Sequence, residues 1–138
     1  MTDIVVGIDR SETAARAAAV AAEMASALGA NLHLVMCADK SRSTDLTVGS
    51  DHFHTDWLSE AENFLQDASG KLGHDPVTYV VGTGNPATVL CDEAQRLNAR
   101  MVVVGNRRVQ GVSRVLGSVA RDVLKNADCD VLIVNTTG

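Results

Sequence analysis

Aromatic side chains are scarce in this 138-residue chain: one Trp, one Tyr and two Phe, or 3% of the sequence. That scarcity argues against the stacking platforms that hold single-stranded nucleic acid. It also leaves the core to Val, Leu and Ala. Positive charge is not in excess either. The formal net charge is −5 and the pI lies near 5.2, which argues against a general affinity for DNA or for anionic membranes. No apolar run approaches the ~20 residues of a membrane span. Cysteine is limited to Cys37, Cys91 and Cys129, with no CxxC spacing. An odd count without a metal pattern fits a reducing compartment, and the simplest role for all three is that of small apolar fillers. The opening MTDIVVGIDR has no basic start and runs at once into a strand. We therefore expect no signal peptide and a cytoplasmic location.

Hydrophobic residues make up 46% of the chain, enough for one core and a single domain spanning 1–138. No internal repeat or linker interrupts it. Ile4–Ile8 is a short apolar run ending at Asp9 and predicts a buried parallel strand. The Ala-rich segment from Ser11 predicts a helix stopped by Gly29, with Asp9 and Glu12 spaced like a capping box. Asn31–Cys37 predicts a second strand. The polar stretch 38–55 lacks periodicity and predicts a loop. A helix is expected from about Asp56 to Leu72, a strand over VTYVV, and a helix opening at Pro86 behind an Asn85 cap. Met101–Val104 reads as strand four, Ser118–Asn126 as a helix and Val131–Val134 as strand five. This alternation means a parallel sheet with helices on both faces. Such a sheet binds ligands at its switch point, outside the carboxyl ends of the strands. Placing strand one beside strand four would bring Asp9 and Gly105 together.

The most informative stretch starts at Gly105 and reads GNRRVQGVSRVLGS. Strand, glycine-bearing loop and helix start together make an anion site, because the first amides of a helix have no internal partner and its dipole favours negative charge there. The loop is neither a P-loop, lacking GK[ST], nor GxGxxG. The bland alternatives are turn glycines at Gly105 and Gly117, a plain N-cap at Ser118, a helix cap at Asp9, and solvated charge at Arg107, Arg108 and Arg114.

Three segments, IVVGIDRSETAARAA, GTGNPATVL and VVVGN…LGSVARDVLKNADCDVLIVNT, resemble the universal stress protein family over essentially the whole chain. The resemblance implies an alpha-beta-alpha sandwich of the adenine-nucleotide alpha-hydrolase-like fold. Its five-stranded parallel sheet has order 3-2-1-4-5, and a homodimer pairs through strand five near Val131–Asn135. It implies a Gly, two residues, a Gly, nine residues and then Gly-Ser or Gly-Thr in members that bind ATP. Here Gly105 is the first glycine and Gly117-Ser118 the closing pair. Asp9 would lie against the adenosine, the backbone of Cys37 would contact the adenine, and Gly84 and Pro86 match the GxP that opens helix three.

The chain departs from this pattern at Arg108, which stands where the second glycine belongs, and the closing pair comes one residue early. Gly111 is placed to take over the turn. Arg108 leaves two readings open: a side chain that blocks the backbone's approach to phosphate, or a guanidinium that holds it. The candidate nucleotide-binding residues are Asp9, Cys37, Gly105, Arg107, Arg108, Gly111, Gly117, Ser118 and Val119. The expected ligand is ATP, with cAMP or AMP as alternatives and Mg2+ only beside a triphosphate. A dimeric scaffold without nucleotide is the third possibility. We expect a binding module rather than an enzyme, since phosphoanhydride hydrolysis wants a positioned base and usually a metal, and only Asp9 stands at the switch; a weak ATPase activity stays open. Strand three ends Val80-Val81-Gly82 without an acceptor carboxylate, so a response-regulator reading fails. Asp51-His52-Phe53-His54 is read as loop rather than metal tract, and His33 and His74 receive no role.

Overall fold

The computed structural model describes residues 2–38, 51–74, 76–108 and 116–137. Its elements run β1 (Asp3–Ile8), α1 (Glu12–Leu28), β2 (Asn31–Ala38), α2 (Asp51–Lys71), β3 (Val77–Thr83), α3 (Pro86–Leu97), β4 (Met101–Arg108), α4 (Ser118–Asn126) and β5 (Asp130–Thr137). All sheet pairings are parallel, in the order β3-β2-β1-β4-β5. This is the expected 3-2-1-4-5 sandwich.

Alternation along the strands builds two cores. Ile4, Val6, Leu32, Leu34 and Val103 face α1 and α2, where they meet Ala17, Ala21, Ala61 and Leu65. Val5, Val35, Val102 and Val104 face α3 and α4, where they meet Ala87, Leu90, Ala120 and Val123. Strands covered on both sides read as continuous apolar runs for this reason. The buried side of α1 consists entirely of alanines, Ala14, Ala17, Ala18, Ala21, Ala22 and Ala25. Such small side chains let the helix axis lie close to the sheet. Gly105 on β4 answers them: a Cβ there would stand 2.8 Å from the Thr13 carbonyl oxygen.

Several expectations need correction. Helix two begins at Asp51, so residues 51–55 are helical rather than loop. None of them is Gly or Pro, and nothing in the sequence stops the helix from running back past its periodic part. Residues 39–50 of the same polar stretch lie outside the described residues. β4 runs on to Arg108, which places Gly105 inside a strand paired with Val134 and not in a loop. The cap of α1 is Ser11, whose Oγ accepts from Ala14 N at 3.1 Å. Asp9 acts one step earlier, accepting from Ser11 N at 2.7 Å, and Glu12 pairs with Arg16 at 3.3 Å on the exposed face. The Gly29 stop and the Asn85 cap are as expected. Among the described residues no helix is long and apolar enough to cross a membrane.

His33, given no role from sequence, is buried at the amino end of the sheet and ties three strands together. Its Nε2–H donates to Asp3 Oδ1 at 2.8 Å, and its Nδ1 meets the Thr78 hydroxyl. Asn31 Nδ2 donates to the same Asp3 oxygen at 3.1 Å. The bond from His33 chiefly holds the Asp3 carboxyl below its ordinary value near 3.8. A carboxylate with a depressed folded value stabilises above its unfolded pKa, and that stability disappears as pH falls through the folded one. Asp3→Asn is therefore expected to cost about 1.5–3 kcal/mol at pH 7, the range for a hydrogen bond to a charged group. The difference from wild type should shrink below about pH 4. Urea unfolding of both proteins at pH 7 and at pH 3 checks this.

Candidate functional site

At the carboxyl end of the sheet, β1 and β4 are neighbours whose following connections part to opposite faces. A cleft of about 470 Å³ opens there, within the ~300–1,000 Å³ typical of small-molecule sites. Ile8, Val35, Leu90 and Val104 supply an apolar wall, and Asp9, Cys37, Asn106 and Arg107 stand among its polar lining.

Three helix starts meet at this cleft: Ser11 and Thr13 of α1, Pro86 of α3, and Gly117 to Ala120 of α4. Two of them carry side-chain caps. Ser11 caps α1, and Asn85 Oδ1 accepts from Thr88 N at 3.1 Å to cap α3. The third is different. Sequence reading makes Ser118 the cap of α4, but the cap is Gly117, which has no side chain to bond the first-turn amides, and Ser118 is the first helical residue. The first intrahelical bond runs from Arg121 N to Gly117 O at 3.0 Å. The amides of Ser118, Val119 and Ala120 precede it, in the turn where helix geometry offers no carbonyl partner.

The cleft brings together seven of the nine candidate residues: Asp9, Cys37, Gly105, Arg107, Gly117, Ser118 and Val119. Gly111 lies outside the described residues, and of Arg108 only the backbone is described, closing β4 opposite Thr137. Cys37 sits at the end of β2 with its Sγ–H donating to Gly84 O at 2.9 Å. That bond engages the thiol with the β3–α3 connection. Arg107 is exposed and stands opposite Thr136 on β5.

The two outer motif glycines separate on physical grounds. Gly105 is required by packing, since a Cβ would also meet the Thr13 methyl at 2.8 Å. Gly117 is not required by the fold. Its φ of −65° and ψ of 164° suit any residue, and among the described residues a Cβ would meet only Asn106 Oδ1, at an ordinary 3.5 Å.

Sequence reasoning missed Asn106. This buried residue accepts the Gly117 N–H on its Oδ1 at 2.8 Å. The signal was there: Val102, Val104 and Asn106 alternate onto one face, and a polar residue in that row asks for a buried partner.

Topology and cleft together define a doubly wound α/β protein with a ligand-sized site at its switch point, in the adenine-nucleotide alpha-hydrolase-like fold. The sequence model of the universal stress protein family matches residues 1–135, and the chain belongs to that family. It is similar to Universal stress protein Rv1636 of Mycobacterium tuberculosis, 30% identical over 144 residues that span 97% of this chain and 96% of that protein. Among solved structures it resembles a universal stress protein in complex with cAMP, with 27% identity, 98% and 97% of the two chains covered, and a TM-score of 0.69. It also resembles the universal stress protein from Archaeoglobus fulgidus in complex with dAMP, with 25% identity, 96% and 97% coverage, and a TM-score of 0.69.

Proposed function

We propose that the cleft binds an adenine nucleotide, ATP being the first expected ligand, and that the protein is a cytoplasmic, nucleotide-dependent homodimeric regulator rather than an enzyme. One observation carries the reading. Of the three helix starts at the cleft, α4 alone has no capping side chain among the described residues, and its cap glycine is not required by packing against them. Its first amides and dipole favour an anion, and a phosphate fits both. The apolar wall suits a flat base. In this reading Asp9 meets the sugar, the Cys37 backbone meets the adenine, and Arg107 adds positive charge at the phosphate. Arg108 and Gly111 belong to the proposal on sequence grounds alone. The cAMP and dAMP complexes of the two relatives support the ligand class.

A second reading, a cyclic nucleotide, draws on the relative solved with cAMP and on the closing Gly-Ser that comes one residue early, which suits a smaller anion. Mg2+ would enter only with a triphosphate. Among the described residues no three His, Cys, Asp or Glu side chains gather as metal ligands.

Titration calorimetry with ATP, ADP, AMP and cAMP tests the reading. At least one is expected to bind more tightly than about 1 mM, or −4.1 kcal/mol. Binding of none would leave the dimeric scaffold. For the assembly, β5 is a sheet edge whose Val131–Val134 are only half-buried. An open edge invites a strand, and a two-fold copy satisfies both partners alike. Antiparallel pairing near Val131–Asn135 should give a dimer in sedimentation at micromolar concentration, and a pure monomer would count against it.

A further inference from the structure

We propose that Asn106 is a positioning residue for the phosphate end of the cleft, acting with Thr136 and Thr13 to hold the starts of α4 and α1 at a fixed separation. The proposal rests on the nucleotide reading above.

The geometry runs across four elements. Asn106 follows the row Val102, Val104 onto the α4 side of β4 and is 5% exposed. Its Oδ1 takes the Gly117 N–H at 2.8 Å. Its backbone carbonyl receives the Thr136 hydroxyl of β5 in a longer contact of 3.5 Å. Thr136, also buried, lies 3.1 Å from the Thr13 hydroxyl in the first turn of α1. A carbonyl can only accept. The single hydroxyl hydrogen of Thr136 has two acceptors in reach, Thr13 Oγ1 at 3.1 Å and Asn106 O at 3.5 Å. Thr136 thus stands between α1 and β4.

It joins two sides of one cleft. Thr13, Asn106 and Gly117 all line it, and Thr13 is the residue whose backbone rests on Gly105. The consequence for an anion is specific. By engaging the Gly117 amide, Asn106 fixes the residue just before the uncapped turn, and so fixes where the amides of Ser118, Val119 and Ala120 point. Donors held in place cost no reorganisation when a phosphate arrives. Buried polar groups in a satisfied chain of this kind are rigid.

The test compares AMP with adenosine by calorimetry on wild type and Asn106→Ala, each checked for its fold by circular dichroism. A residue that only supports the fold would weaken both ligands alike. A positioning residue should weaken AMP about tenfold and adenosine less than twofold. Asn106→Ser and Thr136→Val should shift the AMP-to-adenosine ratio in the same direction by a smaller factor, and they carry the test if Asn106→Ala does not fold. An unchanged ratio in the folded variants overturns the proposal. So does tighter AMP binding by Asn106→Ala, which would mean that Asn106 competes with the phosphate for the Gly117 amide. Wild-type protein that binds none of ATP, ADP, AMP, cAMP and adenosine would remove the nucleotide reading and this proposal together, whereas a ratio of AMP to adenosine binding that stays constant across the variants, or wild-type binding of another nucleotide without AMP, removes the proposal alone.

Discussion

Gly105→Ala should lose about 3 kcal/mol of stability and melt roughly 10 °C below wild type, as read by circular dichroism. The added carbon would stand 2.8 Å from both the carbonyl oxygen and the methyl of Thr13. A methyl can turn away, but the carbonyl belongs to the first turn of α1 and moves only if the helix moves. That helix is anchored along its length by six buried alanines, which have no spare rotamers to absorb a shift. A domain of this size has about 5–15 kcal/mol in total, so the loss is a large share. Lifting α1 would also separate Thr13 from Thr136, which lie 3.1 Å apart, and the cleft should widen with it. A melting change under about 2 °C would show that α1 yields freely and that Gly105 serves some purpose other than packing.

This reverses the emphasis that sequence alone places on Gly105. Read as letters, a glycine after an apolar strand marks a turn and a phosphate loop. In the structure it lies within β4, paired with Val134, and its first duty is to admit a helix. The fold itself was legible because its determinants are local: apolar runs of strand length, an Ala-rich amphipathic helix, Gly29 and Asn85 at helix ends. Alternation of elements points to a parallel sheet, and the strand order follows from the family resemblance alone. The amino-terminal caps of α1 and α4 were legible as residue types but not as positions. Both Asp9 and Ser11 are good caps, and only the backbone shows that Ser11 takes the amide of Ala14 while Asp9 takes that of Ser11. Motif letters picked out residues that line the cleft, Asp9, Cys37 and Gly117-Ser118. Thr136, and His33 at the opposite end of the sheet, were illegible because each acts through a contact made far along the chain: His33 with Asp3 and Thr78, Thr136 with Thr13; Asn106 showed only as a polar letter in an apolar row. A polar residue in a buried strand announces that a partner exists without saying which one.

Gly117→Val is expected to leave the fold intact and to weaken AMP and ATP at least a hundredfold. The backbone at 117 is extended, where β-branched residues are comfortable, and among the described residues the only neighbour within 4 Å of a new Cβ is Asn106 Oδ1 at 3.5 Å. The melting temperature should thus stay within about 2 °C. Binding is another matter. A side chain at the cap position lies over the first helical turn, where Ser and Asn side chains normally fold back onto the amides. Val would cover those amides with methyl groups and offer them nothing. Each phosphate contact to an amide is a charge-assisted bond of roughly 1.5–3 kcal/mol, and losing two of them exceeds two factors of ten. Adenosine, without the phosphate, should change only a few-fold. Gly117→Ser makes the same argument with the stability sign reversed. Its hydroxyl can accept from the first-turn amides itself, which should stabilise the helix by a few tenths of a kcal/mol relative to Gly while still displacing the phosphate. A variant that is slightly more stable yet binds AMP tenfold or more weakly would assign the open turn of α4 to the ligand. If both variants instead bound AMP like wild type, the anion would have to lie elsewhere in the cleft, beside Arg107, and the start of α4 would be only a helix end.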